Sequence, residues 1–480
     1  MSALYNLYLD RAQSRQLGAT YPVYPVVGLM ASILSTLCAV NLMPEDTYPA
    51  GALFIPALVM ALGLSAAPLL SCTRSPRAIL RAENLLALTP VYWLLLDLLQ
   101  GVYPMEDVTP AGIEGAFIAI GLFSCGVWVA TLTRPLRLPQ VVSRSASYSV
   151  KPKILFLLIL LFFGLGIVRF AYPSDFNPVT MLTALTQPRW SAPWSRGQLG
   201  GWDSFLDHMA YFGYLLPVLT VLLAHHSKSI NPRVIASFIL SLVMTAFLAQ
   251  GGARRIVGVI WGAAIICWIL QQEKINFKKL LAAAAGVAVI LAAMQFILEY
   301  RNTGVQALTQ EEKDLEYDYL HVDDNFLRLG QIIDIVPEHH PYTYEKQLAY
   351  YAVRPIPRVL WPEKPIDPGF DLPTYLGKVG ISLSSSSIGE FYLMFGWLAV
   401  LVGGLVYGKL ANTISVLLAQ AQGSSAILVY SLAVMVLVAG MRSMIELILM
   451  SYTIVAWIAI SRLLVMKRSR TMESPSIQPG

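Results

Sequence analysis

Arginine is the residue type in this sequence whose placement most invites chemistry. Arg254 and Arg255 follow Gly251-Gly252 in a turn between two short apolar runs. Arg301 lies in Tyr300-Arg301-Asn302, just past another run. Arg354 and Arg358 flank the first prolines of a stiff segment, and Arg442 lies between the last two runs with Glu446 four residues on. A guanidinium stays protonated and presents a planar fork of donors that matches phosphate. Several of them on neighbouring turns suit a pyrophosphate, with each charge-assisted bond contributing about 1.5–3 kcal/mol. The competing account for any single arginine is that its side chain only snorkels or pairs with an acid of the long loop.

Carboxylates are the second ingredient. Glu390 stands in Ser387-Ile388-Gly389-Glu390 at the start of an apolar run. There it could act as a general base or serve as counter-ion to an arginine. Asp323 and Asp324 precede a stretch with helical periodicity, where they could be alternative bases or N-terminal caps. The six histidines show no metal-ligand spacing, and there is no Walker or dinucleotide loop, so neither a metal nor a cofactor is expected.

The elements that must position these residues are membrane helices. Of the 480 residues 56% are hydrophobic and only 13% charged, against about 25% charged in a soluble domain. The net charge of +5 is dispersed into short loops, which excludes a nucleic-acid surface. A spanning helix needs about 20 apolar residues. Such runs recur at roughly 22–43, 50–70, 85–103, 113–132, 154–172, 205–224, 234–249, 256–270, 280–298, 388–407, 427–441 and 445–463. The expected fold is therefore all-α and polytopic, with about twelve transmembrane helices. It divides into six N-terminal helices (1–233), three more (234–298), a large loop (299–387), three final helices (388–463) and a tail (464–480). Alternate loops are basic, at Arg74 to Arg81, Arg134 to Lys153, Lys228 and Arg233, Lys274 to Lys279, Lys409 and the tail. The positive-inside bias puts these and both termini in the cytoplasm. The remaining loops, including 173–204 and 299–387, then lie outside, and the N-terminus is no cleavable signal peptide. Cys38, Cys72, Cys125 and Cys267 all fall in runs or a basic loop, so no disulfide is expected. In the large loop, 323–336 reads as a helix and Tyr344 to Val353 as an aromatic interface segment. Arg354 to Gly369 is dense in proline and must be extended, with Trp361 at the membrane surface.

Three segments resemble a known family. Gly251-Gly252-Ala253-Arg254 is similar to the Gly-Gly/Ser-x-Arg turn of Wzy-type oligosaccharide repeat-unit (O-antigen) polymerases. Ile356-Pro357-Arg358-Val359-Leu360-Trp361-Pro362-Glu363-Lys364-Pro365 resembles their Pro-Arg-x-x-Trp-Pro-x-Lys-Pro segment, and Gly389-Glu390-Phe391-Tyr392 with Phe395-Gly396 resembles their Gly-Glu-x-Tyr-x-x-Phe-Gly motif. The resemblance covers roughly 234–463; the part before it matches only in hydropathy. It implies a GT-C-like, metal-independent membrane glycosyltransferase of the bacterial inner membrane. Such an enzyme transfers growing glycan from undecaprenyl pyrophosphate to an incoming lipid-linked repeat. Its partners are membrane lipids, a chain-length regulator and a flippase, with no nucleic acid. The expected catalytic residues are Glu390, Arg254 and Arg358, and the expected substrate contacts are Arg255, Arg301, Arg354, Trp361, Lys364, Tyr392 and Arg442. The alternatives are an O-antigen ligase, whose distinct His motif is missing here, and a lipid-glycan flippase or transporter. Against transport, only Asp97, Arg169 and Arg462 lie well within a run.

Overall fold

The structure is a computed structural model. It describes residues 17, 22–102, 107–195, 205–227, 231–305, 319–356, 360–365, 368–378, 383–421 and 423–473. Each of the twelve apolar runs forms a helix, and the described residues contain no strand. In chain order the helices are α1 (Val23–Asn41), α2 (Phe54–Cys72), α3 (Ala82–Leu99), α4 (Pro110–Leu132), α5 (Pro152–Ala171), α6 (Leu206–His225), α7 (Pro232–Gln250), α8 (Arg254–Leu270) and α9 (Phe277–Tyr300). Within the large loop lie α10 (Asn325–Ile335) and α11 (Glu345–Val353), followed by α12 (Ser386–Gln420), α13 (Ser424–Gly440) and α14 (Met444–Glu473). Ten are long and apolar enough to cross a membrane; α8 and α13 are shorter, at 17 residues each. The chain is an all-α, multi-pass membrane protein.

Local sequence sets the helix starts. Pro110, Pro152 and Pro232 occupy the first turn, where a missing N–H costs nothing. Thr109, Asn231 and Asn276 cap α4, α7 and α9 by accepting from backbone N–H groups of the first turn. In lipid, helices associate through close packing of small residues. Gly404 and Gly408 of α12 accordingly lie against the Phe123 and Val127 backbone of α4, opposite Gly126, and a methyl at any of the three would overlap the facing helix.

Two breaks in regular helix position the large loop. Val91–Leu95 of α3 forms a π-turn, and the Trp93 carbonyl accepts from Asn325 Nδ2 at 3.1 Å. In α12 the helix kinks at Phe395 and Gly396, the latter at φ +64°. The carbonyls of Leu393 and Met394, freed by the kink, accept from Thr343 N (2.8 Å) and Tyr344 N (3.2 Å). A side chain at 396 would collide with the Tyr342 hydroxyl, so glycine is required on both counts.

The two sets of alternate loops gather at opposite ends of the bundle. At one end Arg77 donates to the Gln272 and Glu273 carbonyls, Lys409 reaches Thr133 and Arg134, and the Val150 N–H reaches Ser424. At the other end Gln100 bonds Leu320, Thr109 bonds Asp334, Arg189 bonds Arg301, and Asp323 bonds both Arg254 and Arg442. The four cysteines are unpaired thiols.

Candidate functional site

At the second end, arginines from several elements converge on the segment before α10. Arg254 opens α8 and is buried; its Nη1 donates to the His321 carbonyl (2.7 Å) and its Nη2 to Asp323 Oδ1 (2.7 Å). Arg442, in the turn between α13 and α14, donates from Nε to Asp323 Oδ2 at 2.7 Å. Arg255 Nη2 lies 2.6 Å from Glu446 Oε1, and Arg442 Nη1 3.7 Å from that same oxygen. Burial alone would raise the Asp323 pKa. The Arg442 and Arg254 guanidiniums overcome that and hold it well below the usual carboxylate range.

Arg301 joins the cluster through Gly252. That glycine sits at φ +74°, and a methyl on it would come within 3.1 Å of Arg301 Cβ and Cδ and 3.5 Å of Arg189 Cδ. The turn therefore needs glycine twice: for its backbone, and for two arginine stems that cross it. Arg189 is tied to Arg301 by a backbone bond (2.8 Å) and stacks on Trp190, 4.5 Å from the ring centre. Arg255 Nε and Arg301 Nε are closed to solvent and have no hydrogen-bond acceptor among the described residues. Buried donors of this kind are normally satisfied, so the cluster is arranged for an acceptor that is not among the described residues.

The acids divide their work in a way the sequence did not indicate. Asp323 and Asp324 both adopt left-handed backbone, at φ 73° and 51°. Asp324 occupies the N-cap position of α10 without a side-chain cap bond. It instead meets Arg328 (3.4 Å) and His321 Nδ1 (3.7 Å). Burial, with Arg254 and Arg301 nearby, lowers the His321 pKa against the pull of Asp324. Asp97, from the end of α3, is buried and accepts from the Val322 N–H at 3.3 Å. Ligand atoms of Asp97, His321 and Asp324 all lie within 4.8 Å of one another, a set able to hold a divalent cation. The guanidiniums of Arg254, Arg301 and Arg328 flank this set and oppose a further positive charge.

The remaining expected residues have distinct places. Glu390 is buried in α12; Ser443 Oγ donates to its Oε1 and the Met444 N–H to its Oε2, both at 2.7 Å, and the Tyr351 hydroxyl lies nearby. It thus braces the turn that carries Arg442 and, in this structure, forms no ion pair with an arginine among the described residues. Tyr392 is buried, its hydroxyl donating to the Val336 carbonyl at 3.2 Å. Lys364 is also buried, and its Nζ donates to the carbonyls of Arg354 (2.9 Å) and Ile356 (2.7 Å), stapling the proline-rich segment. Trp361 is 40% exposed at the surface of that segment. Arg354 stands apart from Asp323, over the Tyr350 ring at 5.7 Å. Arg358 lies outside the described residues. His321, Arg328 and Tyr351 carried no signal in the sequence. Asp97 carried one, as an acid within an apolar run, and so did Glu446, as the residue one helical turn after Arg442.

No protein-family model, no curated protein and no solved structure matches the chain.

Proposed function

We propose that the chain is a membrane glycosyltransferase that polymerises lipid-linked oligosaccharide repeats, transferring glycan from undecaprenyl pyrophosphate to an incoming lipid-linked repeat. The observation that carries this reading is a cluster at one end of the bundle in which, among the described residues, guanidiniums outnumber the carboxylates bonded to them. Arg254, Arg255, Arg301 and Arg442 supply four positive charges, and the carboxylates bonded to them, Asp323 and Glu446, supply two negative ones. The excess is two, and one positive charge remains after Asp97 is counted; Asp324 is balanced by Arg328. Preorganised charge of this kind stabilises a pyrophosphate as it departs.

In the transfer, an acceptor hydroxyl oxygen forms a bond to the donor's anomeric carbon. The bond from that carbon to the pyrophosphate oxygen breaks, and the lipid pyrophosphate takes the electron pair. The hydroxyl proton needs an acceptor. Asp323 is committed to two arginines, and the Glu390 oxygens accept from Ser443 and Met444; we assign the proton to His321, whose Nδ1 lies 3.4 Å from the Tyr319 hydroxyl and 3.7 Å from Asp324, with Asp324 stabilising the imidazolium. Basic loops at the opposite end favour an orientation with the arginine cluster outside the cytoplasm. No nucleotide sugar is present there, so a lipid-linked donor is the consistent choice. No step calls for a metal, and the reaction is assigned as metal-independent.

The deciding experiment is the lipid-linked glycan that accumulates in cells lacking this protein. A polymerase predicts single repeats, either on lipid or transferred singly to the surface. Long polymer retained on lipid would mean a ligase instead, and repeats confined to the cytoplasmic leaflet would mean a flippase. Either result overturns the proposal.

A further inference from the structure

A second group of side chains adjoins the arginine cluster on its Glu446 side and has no part in the anion chemistry. His208 and Tyr211 lie one turn apart near the start of α6, and Tyr452 lies on α14. The His208 and Tyr452 rings stack at 5.8 Å with 26° between planes, and Tyr211 meets Tyr452 edge-on at 5.5 Å and 85°. All three are half-buried. Glu446, which bonds Arg255, precedes Tyr452 by six residues on α14, and the Thr453 hydroxyl of α14 donates to the Tyr211 carbonyl (3.4 Å), so the aromatic group begins where the arginine cluster ends. Arg354 is near enough to Tyr211 and Tyr452 to bear on both hydroxyls. Its guanidinium forms no ion pair among the described residues.

Two polar atoms in this group are closed to solvent without a hydrogen-bond partner among the described residues: Tyr452 Oη and His208 Nδ1. An aromatic cluster serving only as packing would leave such atoms satisfied or exposed. Ring faces beside unmet donors and acceptors match a pyranose, whose axial C–H bonds present an apolar face and whose equatorial hydroxyls present donors and acceptors around its rim. Binding sites of this type combine apolar walls with a few placed polar groups. The location also fits. The sugar of a lipid-linked donor is joined directly to the pyrophosphate, so its subsite must start at the edge of the arginine cluster.

We propose that His208, Tyr211 and Tyr452, with Arg354 at their edge, form a sugar subsite that holds the pyranose next to the pyrophosphate of the lipid-linked glycan. This rests on the reading of the arginine cluster as a lipid-pyrophosphate site. The test measures binding of two probes to the full-length protein in nanodiscs: undecaprenyl pyrophosphate, and the lipid-linked oligosaccharide extracted from cells lacking this protein. Wild type should bind the glycan-bearing lipid about tenfold or more tightly than the bare lipid, a difference of about 1.4 kcal/mol. Tyr452→Ala and His208→Ala should each erase most of that preference. Tyr452→Phe, which keeps the ring, should lose only part of it. Retained affinity for the bare lipid shows that the variants are folded. If the bare lipid binds but the preference is absent, or survives both alanine substitutions, the sugar subsite is overturned alone. If the bare lipid does not bind, or binds equally well to Arg254→Ala, the anion site falls and the subsite with it.

Discussion

Arg442 Nε lies 2.7 Å from Asp323 Oδ2, and this bond joins the turn between the last two helices to the segment that opens α10. The other oxygen of Asp323 takes Arg254. One carboxylate thus holds a guanidinium at the start of α8 and another in the turn between α13 and α14, and it acts as an internal anion that keeps the cluster assembled.

Asp323→Asn should consequently separate stability from anion affinity. The amide keeps one acceptor but removes the charge, and charge-assisted bonds contribute about 1.5–3 kcal/mol. The thermal midpoint in detergent should fall, while affinity for inorganic pyrophosphate should rise because the internal competitor is gone. Titration calorimetry measures the second effect. Unchanged or weaker pyrophosphate binding would show that Asp323 and the ligand do not share these arginines.

Arg254→Lys keeps the charge and loses the fork that reaches both the His321 carbonyl and Asp323. Loss of one charge-assisted bond predicts a fall in turnover of roughly 10- to 100-fold. Polymer formation from purified lipid-linked repeats is the readout, and wild-type turnover would rule out bidentate recognition at this position.

How far the sequence reaches is clear from these residues. The twelve apolar runs, the loop helix and the alternation of basic loops were all legible, because hydropathy and charge are written locally. The convergence of Arg254, Arg301 and Arg442 was legible as well, since arginines at several turns of one membrane face need a common reason. The choice of partner was not. Asp323 and Asp324 are adjacent and chemically alike, and only the left-handed backbone at both sends one to two arginines and the other to Arg328 and His321. His321 was hidden for a related reason: its acidic neighbour Asp97 belongs to α3, far earlier in the chain, and meets it only because the π-turn of α3 docks the segment before α10. Lys364 reads as a ligand contact but turns inward, because the carbonyls of Arg354 and Ile356 have no helix to satisfy them.

His321 predicts a pH dependence with a definite sign. Its pKa is lowered in the folded protein, so the unfolded chain takes up the proton first, at about pH 6.5. Stability should be fully present above that value and decline as pH falls through it, levelling off below the folded pKa. Thermal midpoints measured from pH 7.5 to pH 5 should show this slope, and His321→Asn should flatten it. A slope equal in both proteins would assign the effect to other groups. The Asp323 contribution does not overlap, since its folded pKa is depressed and its stabilisation is lost only at more acid pH, below about 3.9.

Removal of divalent cations separates two uses of Asp97, His321 and Asp324. The flanking guanidiniums disfavour a cation there, and the proposed transfer has the arginines stabilise the leaving group. Polymer formation should therefore continue after treatment with EDTA. Activity abolished by EDTA and restored by magnesium or manganese would show instead that these three side chains bind a required ion, and Asp97→Asn should then raise the metal concentration needed.

Glu390→Gln decides whether the most family-like acid is a base or a brace. Both oxygens of Glu390 accept hydrogen bonds from the 443–444 turn. In the variant, the amide oxygen can keep the Met444 N–H. The amide nitrogen can donate to Ser443 Oγ, because a hydroxyl can accept as well as donate. The turn that carries Arg442 should then survive with a modest loss of stability, and turnover per folded molecule should stay within about an order of magnitude of wild type. General base catalysis contributes about 10²–10⁴-fold. A loss of that size, with folding and bare-lipid binding intact, would return the proton-accepting role to Glu390 and remove it from His321. His321→Gln provides the converse measurement: it should cost that larger factor if His321 takes the proton and leave turnover nearly unchanged if Glu390 does.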